Sequence, residues 1–240
     1  MTDDPQLKQM HERIRELQAE ALNKWRPLSG VTHNVREAYK SLEANLSKAT
    51  QAANSTQYRV EQLRDDDTIY PEGRARLIRE AIAKGKAEVA KHQRAADACV
   101  VVIKANLTQA AIPRMDPQRE AFARDELRVR LDGAVDPVAV LFELASRDDE
   151  MGAVACSSYA ESWMRAHGVA DAPKVASSIR GVAAESASQS ADPARRAVGV
   201  AHAGVSALDD ALVTTGSITH TALEAASGAA LAAGVREASE

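Results

Sequence analysis

Apolar residues recur at steps of three and four along most of this chain. The alternation of apolar and polar positions that marks a half-buried strand is absent. The longest run begins at Pro71, where Ile78, Ile82, Gly85, Val89, His92, Ala96, Cys99, Ile103, Leu107 and Ala110 form one stripe. That spacing predicts a single helix from Pro71 to about Ala111, about 60 Å long at 1.5 Å per residue. A second stripe (Val35, Ala38, Leu42, Leu46, Ala49, Ala53, Val60, Leu63) predicts a helix from Asn34 to about Arg64. The acidic turn Asp65-Asp66-Asp67-Thr68 reverses the chain between them, making an antiparallel hairpin. A shorter leading helix from Pro5 to about Arg26 is stopped by Pro27 and Gly30.

Beyond Pro113 the rhythm shortens. Four of the eight prolines follow an aspartate: Asp4-Pro5, Asp116-Pro117, Asp136-Pro137 and Asp192-Pro193. Aspartate accepts from the free amides of a first helical turn, and proline at the first helical position sacrifices no bond, so each pair predicts a helix start. Helices are expected at Pro117–Leu131, Pro137–Ser146 and Asp149–His167, carrying Phe122, Leu127, Leu141, Phe142, Trp163 and most of the other large apolar residues. Alanine-rich helices follow at about Pro173–Ala187, Pro193–Val213 and Ser217–Ala238. The expected fold is all-α: a long-helix hairpin over 1–113, a compact bundle over 114–168, and an Ala/Ser/Gly-rich helical tail over 169–240, partly flexible.

Composition sharpens this picture. Hydrophobic residues make up 45% of the 240, but only eight are aromatic, so small side chains must build long interfaces. Charge is uneven: net −1 over residues 1–70, +5 over 71–130 and −8 over 131–240. An acidic rear half behind a basic middle suggests surfaces that meet head to tail, or a basic helix facing an acidic partner. Two cysteines, Cys99 and Cys156, make neither a disulfide framework nor a multi-cysteine zinc site, and fit a reducing compartment. The polar, acidic N-terminus is not a signal peptide, and the alanine-rich end lacks the continuous apolar character of a membrane span.

No catalytic or cofactor signature has the spacing its chemistry requires. Gly85-Lys86 lies mid-helix and is followed by alanine, so it is no phosphate loop, and the six histidines show no paired metal-ligand spacing. No enzyme activity, cofactor or metal is therefore expected. His92 and Cys99 share a stripe but stand about 10 Å apart along the helix, which suits a polar register residue and a small buried thiol better than an activated pair. Gly85 on the same stripe is either a close-approach point or a kink.

Two contact surfaces remain. Ile78, Ile82, Val89, Ile103, Leu107 and Trp25 are candidate protein-interface residues, the first five along the helix seam and Trp25 as an anchor. The alternative is a nucleic-acid or regulatory adaptor that uses Arg74, Arg76, Arg79, Lys84, Lys91 and Arg94 against phosphates, although no aromatic residues are interleaved to stack on bases.

The segment Ile69-Tyr70-Pro71-Glu72-Gly73-Arg74-Ala75-Arg76, entering a long charged helix behind a helical hairpin, resembles helical proteins encoded among the head and tail genes of actinobacterial tailed phages. The Ala/Arg/Asp-rich composition is similar. The resemblance spans residues 1–165 and implies a scaffold-like or virion-associated role in the host cytoplasm or the particle. It also implies self-association and contacts with other structural proteins, and it carries over no catalytic residue.

Overall fold

A computed structural model describes residues 31–232 together with Glu12, Glu16, Ala19, Glu20, Leu22, Asn23 and Trp25. These form helices joined by short turns, with no strand among the described residues. The two long helices are α1 (His33–Arg64) and α2 (Pro71–Ala111). Shorter ones follow: α3 (Glu120–Asp132), α4 (Pro137–Ala145), α5 (Glu150–Ala155), α6 (Ser158–Ala166), α7 (Ala172–Ser186) and α8 (Pro193–Ala203). A 3-10 turn at Ala187–Gln189 links α7 to α8, and α9 (Ser206–Ala232) ends the series. Within the expected leading helix, Glu12, Glu16, Ala19, Glu20, Leu22 and Asn23 are helical, and the other positions lie outside the described residues.

Two of the aspartate-proline pairs start helices as their chemistry predicts, whereas at Asp116-Pro117 the chain makes a turn and the helix begins at Glu120. Asp136 accepts from the Ala139 amide at 3.0 Å and Asp192 from the Ala194 amide at 2.9 Å. Asp116 accepts from the Gln118 amide at 2.9 Å, starting a tight turn that leads into α3. Asp4 lies outside the described residues. Two further boundaries differ from expectation. The helix expected over Asp149–His167 is two, because the Ser157 hydroxyl accepts from the Tyr159 amide and starts a new helix after Cys156. The tail breaks at Gly204, not near Ser217: Gly204 and Val205 return their amides to Val200 and His202, and α9 then runs unbroken through Gly216.

The three consecutive segments expected from composition are not how the chain divides. One compact unit takes in Ala38–Val101 and the stretch from Ser206 onward, with residues up to Arg26; the other takes in Pro27–Glu37 and Val102–Val205. The reason is burial. Within Ser206–Ala232, Ala222, Leu223 and Ala226 supply an apolar complement to the hairpin.

In the first unit, α9 sets Ala222 and Leu223 against Ala53 of α1 and Val89 of α2. One layer away, Ala226 joins Val60, Leu63 and Ile78, flanked by Ile69, Leu77 and Ile82. Polar side chains stitch the helices at chosen levels. His92 meets Asn45 Oδ1 of α1 through Nδ1 at 3.0 Å, and neighbouring Gln93 donates through Nε2 to Thr219 Oγ1 of α9 at 3.0 Å. A slip of register would strand these groups, so they fix alignment that a seam of small apolar residues would leave loose.

Gly85 is a close-approach point. A Cβ built there would lie 2.0 Å from Thr56 Oγ1 and 2.8 Å from Thr56 Cβ, and rotating the threonine cannot move its own Cβ. Gly85→Ala is therefore expected to destabilise the protein by about 1–2 kcal/mol, overpacking outweighing the gain in helix propensity. Gly181→Ala in α7, where nothing lies within 4 Å, should instead stabilise it by up to about 1 kcal/mol. Thermal or urea unfolding of both variants reads the contrast; equal signs would refute the close approach.

Candidate functional site

The seam residues are spent on the chain's own packing. Ile78, Val89, Ile103 and Leu107 are buried, and Ile82 is half-buried against the Val60–Ile78 layer. Trp25 is also buried, its ring 5.2 Å from that of Tyr39, whose hydroxyl donates to the Leu22 carbonyl at 3.0 Å. An interface built on these six side chains would have to open the fold.

The basic residues divide differently. Arg74 closes the hairpin turn, donating to the carbonyls of Arg64 and Ile69 at 3.1 and 3.2 Å. Arg76, Arg79, Lys84, Lys91 and Arg94 all lie exposed along the outer side of α2, together with Lys86. Glu80 and Glu88 are interspersed, pairing with Arg76 and Lys91 respectively, so residues 76–94 carry a net charge of +4. Small residues interrupt the charges on this face: exposed Ala83, Ala87 and Ala98 share a stripe with Arg76, Glu80, Lys91 and Arg94, and Val101 beyond them is 65% exposed. At 1.5 Å per residue the basic stretch runs for about 27 Å. Such a face suits another helix, whose backbone can approach over alanines while its flanking side chains meet the lysines and arginines.

His92 and Cys99 do not act together. The imidazole is held by Asn45, with Glu88 3.8 Å from Nε2, and burial pushes the Cys99 thiol upward from its ordinary range. Cys156 is more deeply buried, and desolvation pushes its thiol up to about 11. A thiol so placed is protonated at neutral pH. Among the described residues no three histidine, cysteine, aspartate or glutamate side chains converge to hold a metal ion, and no helix is long and apolar enough to cross a membrane.

The second unit holds a cleft of about 840 Å³ between α3, α5 and α8 and the turns before them. Its wall is a set of ion pairs: Arg119 with Glu150 at 3.0 Å, Arg130 with Glu126 at 2.6 Å, and Arg147 with Asp149 at 2.6 Å. Phe122, expected in the core of the short-helix bundle, stands 66% exposed on the wall of this cleft, because the inward face of α3 is taken by Ala123, Leu127 and Leu131. At the floor lies Arg195, 5% exposed. Its guanidinium donates to the Ala111 carbonyl at 2.6 Å, the Ala183 carbonyl at 3.2 Å and Asp148 Oδ1 at 2.7 Å. Asp148 also accepts from the Ser190 hydroxyl at 2.6 Å and the Ala191 amide at 3.1 Å. Each lining carboxylate is thus engaged with a guanidinium or a helix cap, so the wall is built for holding its turns in place, with exposed Arg114 at its edge.

This clamp was not legible in sequence. The Asp192-Pro193 start places Arg195 in the first turn of α8, but its partners lie 84, 12 and 47 residues away. The Ser190 hydroxyl, with the Arg195 charge and the Ala191 amide, holds the Asp148 carboxyl below the ordinary 3.8. A depressed folded-state value stabilises the fold above the unfolded value, and the benefit is lost as pH falls through the folded one. Arg195→Ala should cost about 1–3 kcal/mol through the orphaned Ala111 and Ala183 carbonyls, since Asp148 keeps its Ser190 and Ala191 bonds. Asp148→Asn should lower the urea midpoint clearly at pH 7, with the gap to wild type narrowing below about pH 4; a gap independent of pH would refute the assignment. Cys156 should react with a thiol reagent only at the rate of unfolding, measured by labelling in rising urea.

Comparison with protein family models, with characterised proteins and with solved structures yields no match to this chain.

Proposed function

We propose that this is a non-enzymatic helical assembly protein that acts through helix-mediated self-association and contacts with other structural proteins in phage particle assembly. The observation that carries the reading is the outer face of α2. The helix buries its apolar seam within its own chain and still presents to solvent about 27 Å of basic side chains interleaved with alanines. An exposed helix face of one net sign, with gaps left by small side chains, suits an oppositely charged partner helix. The phage setting rests on the resemblance of the hairpin and its Ile69–Arg76 entry to helical head and tail proteins of actinobacterial phages.

The same cations supply the one observation that favours nucleic-acid binding. Light scattering at micromolar concentration separates the two readings. A particle heavier than the 25.6 kDa monomer is expected. A strict monomer that binds DNA or RNA in a salt-dependent way, and loses binding on Arg76→Ala with Arg79→Ala, would replace the assembly reading with the adaptor one.

A further inference from the structure

The first unit carries a second exposed helix face, of opposite sign. Along α9, Asp210, Val213, Ser217, His220, Glu224 and Gly228 are exposed at steps of three and four, which makes one ridge. Between Ser206 and Ala232 the helix carries Asp209, Asp210 and Glu224 and no lysine or arginine. On this ridge Val213, 70% exposed, and the small Ser217 and Gly228 alternate with Asp210, His220 and Glu224. The inner side of α9 is occupied by Ala222, Leu223 and Ala226, so the ridge is what remains for contact. The outer face of α1 is less strongly biased, since Arg36, Lys40, Lys48 and Arg59 are interrupted by Glu37 and Glu43 for a net of +2.

We infer that the basic outer face of α2 in one copy docks on the acidic ridge of α9 in a second copy, linking chains head to tail. This rests on the assembly reading above and names its partner. Charge complementarity selects the occupant: net +4 over residues 76–94 meets Asp210 and Glu224 on the α9 ridge, whereas like faces repel. Val101 and the exposed alanines of α2 meet Val213 and the serine and glycine positions of α9, where backbones can approach closely. Because the two faces differ, the contact is heterologous, and each copy keeps one face of each sign for the next. A helix pair touching over about 27 Å falls among small interfaces, below about 1,200 Å². Association should therefore be reversible, concentration-dependent and sensitive to salt.

Sedimentation velocity of the full chain tests this at about 0.01 M and about 1 M salt, where the screening length is about 30 Å and about 3 Å. Wild type is expected to form a ladder of species at low salt that dissolves at high salt. One variant carries Arg79→Glu, Lys84→Glu and Arg94→Glu; the other carries Asp210→Lys and Glu224→Lys. Each alone should lose every species above the monomer, because its two faces then no longer oppose in sign. Mixed in equal amounts they should associate again, which only folded chains can do. A ladder that survives either reversal, or a mixture that stays monomeric, overturns the pairing while leaving self-association through another surface. A wild type that stays monomeric at low salt and high concentration overturns the assembly reading as well.

Discussion

A guanidinium almost sealed from water governs the second unit. Burying a charge is costly unless every donor is answered, and Arg195 is answered by acceptors from three places: the last turn of α2, the body of α7 and the turn before α5. Asp148 relays the restraint onward by gathering the Ser190 hydroxyl and the Ala191 amide. One side chain thereby sets the entry to α8 and the exit from α7 in the same frame as the end of α2. Against a typical domain stability of about 5–15 kcal/mol, breaking such a pair removes a large share. The surface ion pairs around the cleft matter less individually, since solvent screens them and long side chains lose entropy in forming them.

The first unit solves a different problem. Its core is rich in alanine and valine, which bury little area each, so stability must come from length and close approach. Gly85 lets α2 sink against Thr56 of α1, and the His92–Asn45 and Gln93–Thr219 pairs fix register where small side chains would tolerate sliding. The C-terminal α9 completes the core with Ala222, Leu223 and Ala226. Compositional simplicity in that segment reflects tight packing.

That economy inside has a consequence outside. A helix whose inner stripe is narrow leaves a wide outer arc, and on α2 that arc is basic while on α9 it is acidic. The proposed assembly role and the proposed pairing of these arcs both follow from this division of one helix into an internal seam and an external face.

The sequence by itself determined the elements. Stripes at steps of three and four marked α1 and α2, the latter from Pro71 to Ala111 as expected, and aspartate-proline pairs marked the starts at Pro137 and Pro193. These signals are local, because caps and helical faces depend on residues within one or two turns. Only the tertiary structure decided which faces met. The same stripe could have been an intermolecular seam or an internal one, and burial of Ile78, Val89 and Leu107 made it internal. The breaks at Ser157 and Gly204, the exposure of Phe122, the return of α9 onto the hairpin and the Arg195–Asp148 clamp all rest on contacts distant in sequence or on competition between nearly equal local preferences. Helical periodicity says which residues share a side. What that side faces is settled by where chain closure buries the most apolar surface without stranding a charge.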